Sequence, residues 1–192
     1  MVMTDAKGRT ISSITHAKDV RPVSYVLIKA TEGVSMKDRM FSSHWKEAEK
    51  KNVRRGAYHF FRSSKDPLEQ AGHFIETVGN LRYKDLPPVL DIETIHKGCS
   101  RDELNSKALI WLKEVESHYG RKPIVYSGAS FIEDMLCEEI KSGYPIWVAH
   151  YGTERPDCSR WDFWQVTDRA VVHGIKGNVD LSVCSPEVLE NI

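Results

Sequence analysis

Along the first two thirds of the chain, apolar positions switch between two spacings. Short runs rich in β-branched and aromatic residues, Val23–Lys29, Gly56–Phe61 and Ile124–Ser127, read as strands. Between them apolar residues recur at helical spacing: Phe41, Trp45 and Ala48, then Leu68, Ala71, Phe74, Ile75 and Val78. A third helical stretch carries Leu104, Ala108, Leu109, Trp111, Leu112 and Val115, opened by a capping box at Ser100-Arg101-Asp102-Glu103. Ser130-Phe131-Ile132-Glu133 has the same form and predicts a fourth helix. Strand–helix units of this length imply parallel strands joined by crossover helices, with the apolar helix faces as core.

The last third breaks that rhythm. Ile146–His150, Phe163–Val166 and Val179–Leu181 read as strands, but Gly152, Pro156, Gly174 and Gly177-Asn178 punctuate the short intervals between them. No full crossover helix fits there. The expected fold class is α/β: a single TIM-like barrel whose final strands lack crossover helices, with Val2–Asp5 as the strand that closes the ring.

The segment Pro87-Pro88-Val89-Leu90-Asp91-Ile92-Glu93 reads as a buried strand ending in two carboxylates. Side chains alternate faces along a strand, so Asp91 and Glu93 point one way and Ile92 the other. Each charge raises the other's pKa, so one acid can stay protonated near neutral pH while its neighbour is anionic. Cleavage of a glycoside, with its poor oxygen leaving group, needs that division of labour. Acids at strand ends also occur as solvated groups or ion-pair partners. In barrels of this kind sites lie at the C-terminal strand ends, which adds Asp180 in the last strand and Asp5 in the first. Tyr58, Tyr126, Trp147, Tyr151 and Trp164 fall at or near strand ends too, where flat rings suit stacking on sugars, although each could equally serve the core.

Composition narrows the alternatives. At 192 residues a single domain, 1–192, is expected, with no separate cell-wall-binding module. Lys+Arg and Asp+Glu are 27 each, so no global field favours nucleic acid or an anionic membrane. No apolar run approaches the ~20 residues needed to span a bilayer. The opening Met1-Val2-Met3-Thr4-Asp5-Ala6-Lys7-Gly8 lacks a signal-peptide apolar core. Cys99, Cys137, Cys158 and Cys184 form no C-x-x-C; free thiols are expected, although four cysteines would allow two disulfides in three pairings. Eight histidines, among them His59 and His150, raise a metal-dependent hydrolase as an alternative, but there is no H-E-x-x-H, and a carboxylate pair needs no ion. Neither a metal nor another cofactor is expected.

Ordered blocks along the chain carry a resemblance. Ile28-Lys29-Ala30-Thr31-Glu32-Gly33, Gly56-Ala57-Tyr58-His59-Phe60, Gln70-Ala71 before Phe74, and Leu90-Asp91-Ile92-Glu93 come first. Pro123-Ile124-Val125-Tyr126-Ser127-Gly128, Trp147-Val148-Ala149-His150-Tyr151, Trp161 through Gln165, and Gly177-Asn178-Val179-Asp180 follow. In this set and order the chain resembles the glycoside hydrolase family 25 lysozymes, the Chalaropsis-type N-acetylmuramidases. The resemblance implies a barrel of eight strands with about five helices. It also implies hydrolysis of the β-1,4 bond from N-acetylmuramic acid to N-acetylglucosamine in peptidoglycan. Residue by residue, it makes Glu93 the general acid, Asp91 its partner and Asp180 the acid of the last strand. Tyr58, Tyr126, Trp147 and Gln165 fall in the implied sugar groove. The N-terminus departs from the pattern: Asp5 ends an apolar run at the right distance from the Ile28–Gly33 block, but the Ser and aromatic expected after it are absent. A glycan-binding barrel with impaired catalysis is therefore the alternative function. A monomer acting on the bacterial wall, made without a visible signal and released as a phage lysin is, completes the expectation. The Asp91–Glu93 spacing leaves retention or inversion of configuration open.

Overall fold

The computed structural model describes residues 23–172 and 175–192. The chain begins with β1 (Tyr25–Glu32), β2 (Met36–Lys37), α1 (Phe41–Lys50), β3 (Arg54–Phe60), α2 (Pro67–Val78), β4 (Val89–Asp91) and α3 (Arg101–Tyr119). It continues through β5 (Ile124–Gly128), α4 (Ala129–Met135), α5 (Glu138–Gly143), β6 (Ile146–Ala149), β7 (Phe163–Val171), β8 (Asn178–Cys184) and α6 (Pro186–Asn191).

Local chemistry sets the helix limits. Asp66 caps α2 by accepting from the amides of Leu68 and Glu69, with Pro67 at the first helical position, where no amide is needed. Ser100 caps α3 through the Glu103 amide at 3.1 Å, as the capping box predicts, and Gly120 ends that helix in the left-handed conformation. The second box does not form. The chain passes from β5 straight into α4 with Gly128 at the cap, so Ser130 already lies inside the helix. Glu133 instead accepts from the Ser159 amide at 2.5 Å and ties the β6–β7 connection to α4.

The strands form one sheet in the order β2-β1-β3-β4-β5-β6-β7-β8. β1 and β3 to β7 pair in parallel, as the strand–helix spacing predicts. The two edges depart from an all-parallel barrel. β2 runs antiparallel to β1, and β8 antiparallel to β7, because the short 172–177 connection leaves no length for a crossover. The expected strand Val2–Asp5 lies outside the described residues, and the eighth described strand is β2. The described sheet is therefore a curled half-barrel, with six helices among the described residues rather than about five. The extra short helix α6 has no fully buried residue, only Val188 and Leu189 leaning on the concave cluster, so no apolar spacing announces it.

Curling is visible in the packing. Tyr25 of β1 meets Phe163 of β7 edge to face, ring centroids 6.0 Å apart, although four strands separate them in the sheet. With Leu86, Val89, Ile124, Tyr126 and Trp147 they fill the concave side. The larger core lies on the convex side, where Phe74, Leu104, Trp111, Leu112 and Ile132 join the helices to Leu90, Ile92, Val125 and Val148 of the sheet. At Gly56 a Cβ would stand 2.6 Å from Leu27 and 3.0 Å from Leu86, so only glycine lets β1, β3 and the segment before β4 approach this closely. All four cysteines are free and partly buried.

Candidate active site

The concave side opens at the C-terminal ends of the parallel strands into a cavity of about 360 Å³. Period-two alternation brings Tyr25, Leu27 and Lys29 of β1, Tyr58 and Phe60 of β3, and Asp91 with Glu93 to its wall. Tyr126, Trp147 and Gln165 continue the wall through β5, β6 and β7, and Asp180 and Ser182 complete it from β8. Because β8 is antiparallel, Asp180 reaches the mouth from near the start of its strand rather than from its end.

Asp91 is the last residue of β4 and is buried, while Glu93 stands two residues beyond, exposed at the mouth. The sheet pairing carries on past Asp91 through one more bond, from the Ile92 amide to the Tyr126 carbonyl at 3.0 Å. Ile92 turns into the convex core. Burial first, then the neighbouring Glu93 carboxyl, raise the Asp91 pKa far above the usual carboxylate range. Asp91 Oδ1 has no partner among the described residues. Lys29 opposes the shift; its ammonium donates to Glu32 at 2.7 Å and lies 5.2 Å from the Phe60 ring centre. Arg62 pairs with the same Glu32 and stacks 4.6 Å over the other end of the network, again on Phe60.

On the opposite wall the Tyr126 hydroxyl donates to Gln165 Oε1 at 2.5 Å. Asp180 is raised by burial and by Asp168, and held down by the Gln165 amide. The Trp147 indole donates to Ser182 Oγ at 3.1 Å, and its ring meets Tyr126 at 4.4 Å between centroids. Burial pushes the Tyr58 and Tyr126 phenols upward, so both remain neutral donors facing the acids.

Of the residues singled out in the sequence, Asp91, Glu93, Asp180, Tyr58, Tyr126, Trp147 and Gln165 meet in this cavity. Tyr151 sits half-exposed at the rim, with burial, Asp180, Asp168 and Glu93 all raising its pKa. Trp164 faces away. Phe163 and Gln165 point inward, so the residue between them must point out, and its indole donates to the His150 carbonyl against Trp161. Asp5 lies outside the described residues. His59 is buried on the convex side, with Nε2 on Gln70 Oε1 and Nδ1 on the Thr31 hydroxyl, while His150 Nδ1 accepts from the Asp157 amide. Lys29 and Ser182 escaped sequence reasoning. Lys29 was legible from the Tyr25-Leu27-Lys29 alternation, whereas Ser182 has no signal beyond its strand.

The pattern of the glycosyl hydrolases family 25 matches residues 11–175. The Escherichia coli K12 protein YegX is 42% identical over 170 residues, covering 88% of this chain and 61% of its own. Lysozyme M1 of Streptomyces globisporus is 32% identical over 174 residues, covering 82% of this chain and 58% of its own. The structure of a family 25 glycosyl hydrolase from Bacillus anthracis superposes with a TM-score of 0.78 at 32% identity, covering 88% of this chain and 82% of the other. The chain thus spans about three fifths of the length of such curated relatives. By sequence and by fold, the chain belongs to the glycosyl hydrolases family 25.

Proposed function

We propose that the protein is a peptidoglycan-cleaving muramidase that hydrolyses the β-1,4 bond between N-acetylmuramic acid and N-acetylglucosamine. The observation that carries this reading is the buried Asp91 with Glu93 two residues on, both lining one aromatic-walled cleft. One proton is held between the two carboxyls, because burial and mutual repulsion resist ionising both. Glu93, the member open to the cleft, hands that proton to the glycosidic oxygen as the C–O bond breaks. Asp91 is left with the negative charge and stabilises the positive charge developing on the sugar. Water supplies the hydroxyl of the new reducing end. Trp147, Tyr58 and Tyr126 offer faces and phenolic donors to the sugar, and Tyr151 extends that wall to the rim. The substrate places the action at the bacterial cell wall.

Digestion of purified peptidoglycan tests the reading. The new reducing sugar should be N-acetylmuramic acid. A new N-acetylglucosamine end, or peptide released from uncut glycan, overturns the assignment, and binding without any cleavage favours the impaired glycan-binding barrel.

A further inference from the structure

Glu93 stands beyond the last residue of β4, on a segment with no regular secondary structure to fix it. Two buried hydroxyls bracket that segment. Ser127 of β5, fully buried, donates from Oγ to the Ile92 carbonyl at 2.5 Å. Parallel pairing would next use the Gly128 amide at this carbonyl, but Gly128, the last residue of β5, makes no such bond, and the Ser127 side chain takes its place. The Ile92 carbonyl and the Glu93 amide belong to one rigid peptide plane. Anchoring the carbonyl therefore fixes the position of the Glu93 Cα and the N–Cα bond about which its side chain can turn. Downstream, Ser63 in the β3–α2 loop accepts from the His96 amide at 2.8 Å. Ser63 is buried, and its own carbonyl is held by the Lys107 ammonium at 2.9 Å. Neither serine lines the cleft.

We propose that Ser127 and Ser63 are positioning residues for Glu93, suspending its backbone between two buried hydroxyl anchors so that its carboxyl meets both Asp91 and the cleft. The proposal rests on Glu93 being the proton donor of the muramidase reading. Ser127 carries the larger share, because its bond falls on the peptide adjoining Glu93, whereas Ser63 acts three residues away.

The test replaces Ser127 with alanine and with cysteine, and Ser63 with alanine, and measures kcat and KM on peptidoglycan well below each variant's melting temperature. Cysteine is close to serine in shape but a weak donor, so it removes the strong hydrogen bond without the void that alanine leaves. Ser127→Cys and Ser127→Ala should each lose about 10²-fold in kcat, the usual scale for a displaced catalytic group, with KM little changed. Ser63→Ala should lose less. A cysteine variant at the wild-type rate would show that Ser127 only fills space and would overturn the proposal. Carboxyl ¹³C titration of the same proteins gives a second readout that needs no turnover. A displaced Glu93 releases Asp91 from its neighbour's charge, so the Asp91 titration should move toward acid in Ser127→Cys. If the wild type proves inactive on peptidoglycan, the function reading fails while this titration still decides the positioning role; an unmoved Asp91 overturns it.

Discussion

Two aspartates bracket the central strand β4, and both are buried to the same degree: Asp85 is 5% exposed and Asp91 6%. They differ in what faces them. Asp85, at the closed end, receives the Arg55 guanidinium at 2.8 Å and 3.4 Å and the Arg82 amide at 2.9 Å. Arg55 in turn donates to the Trp45 carbonyl and Glu49 and stacks 4.2 Å over the Trp45 ring, which ties α1 to β3. Asp91, at the open end, has another acid for its neighbour and one oxygen with no partner among the described residues. A buried charge that is forked and hydrogen-bonded is structural, and one left among acids is held ready to carry a proton. Burial alone, therefore, does not separate framework from chemistry in this half-barrel.

The largest effect that would sharpen this contrast belongs to the open end. Glu93→Gln keeps shape but carries no transferable proton, so turnover should fall by about 10²–10⁴-fold with binding of wall fragments and melting temperature preserved. Activity within threefold of wild type would remove Glu93 from the reaction.

At the closed end the expected pattern reverses. Arg55→Met leaves Asp85 buried without its partner and should cost about 3–5 kcal/mol in denaturant unfolding, with kcat of the folded protein unchanged. Asp91→Asn should behave in the opposite way. In the unfolded chain Asp91 ionises above about pH 4, whereas in the fold it resists ionisation, so the native state loses stability as pH rises past that value. The amide removes that loss. Asp91→Asn should melt at or above the wild-type temperature at pH 7 while turnover falls by about 10²-fold or more. A matching loss of stability in both variants would erase the distinction between the two aspartates.

The carboxylate pair was legible because its signal is local: a strand, an alternation and two acids. The helices with wide apolar faces, α2 and α3, were legible for the same reason. What escaped reading depends on where strands lie relative to one another. The antiparallel turn of β8 brings Asp180 to the mouth from near the start of its strand, a different route from the one its position suggests. Trp164 looked like a cleft aromatic until the alternation of β7 was anchored by Phe163 inside, which sends it outward. Ser130 met the pattern of a cap, but β5 ran on to Gly128 and started the helix early. Ser127 and Ser63 carry no sequence signal at all, because a serine becomes an anchor only when a neighbouring strand presents a carbonyl or amide to it.

His59 offers the smallest effect and a third kind of buried polar group, one that is fully partnered yet still titratable. It stacks on Trp111 at 5.5 Å and is held from both sides. Gln70 Oε1 can only accept, so Nε2 carries a proton, and in the neutral ring Nδ1 then accepts from the Thr31 hydroxyl. Burial is the main cause of a pKa lowered to about 4. In the unfolded chain the same ring titrates near 6.5. The neutral fold is therefore at full stability above about pH 6.5, and stability falls as the pH drops from there toward 4, by roughly 3 kcal/mol in total. Asp91 shifts stability in the other direction over the same range, since its burial costs less as the medium becomes more acidic. Urea unfolding of wild type, His59→Gln and Asp91→Asn at pH 7, 5.5 and 4 separates the two. Relative to wild type, His59→Gln should lose less stability on acidification and Asp91→Asn should lose more. If the histidine variant follows the wild-type curve, His59 is already charged in the fold, and the Gln70–His59–Thr31 pattern is not the neutral one.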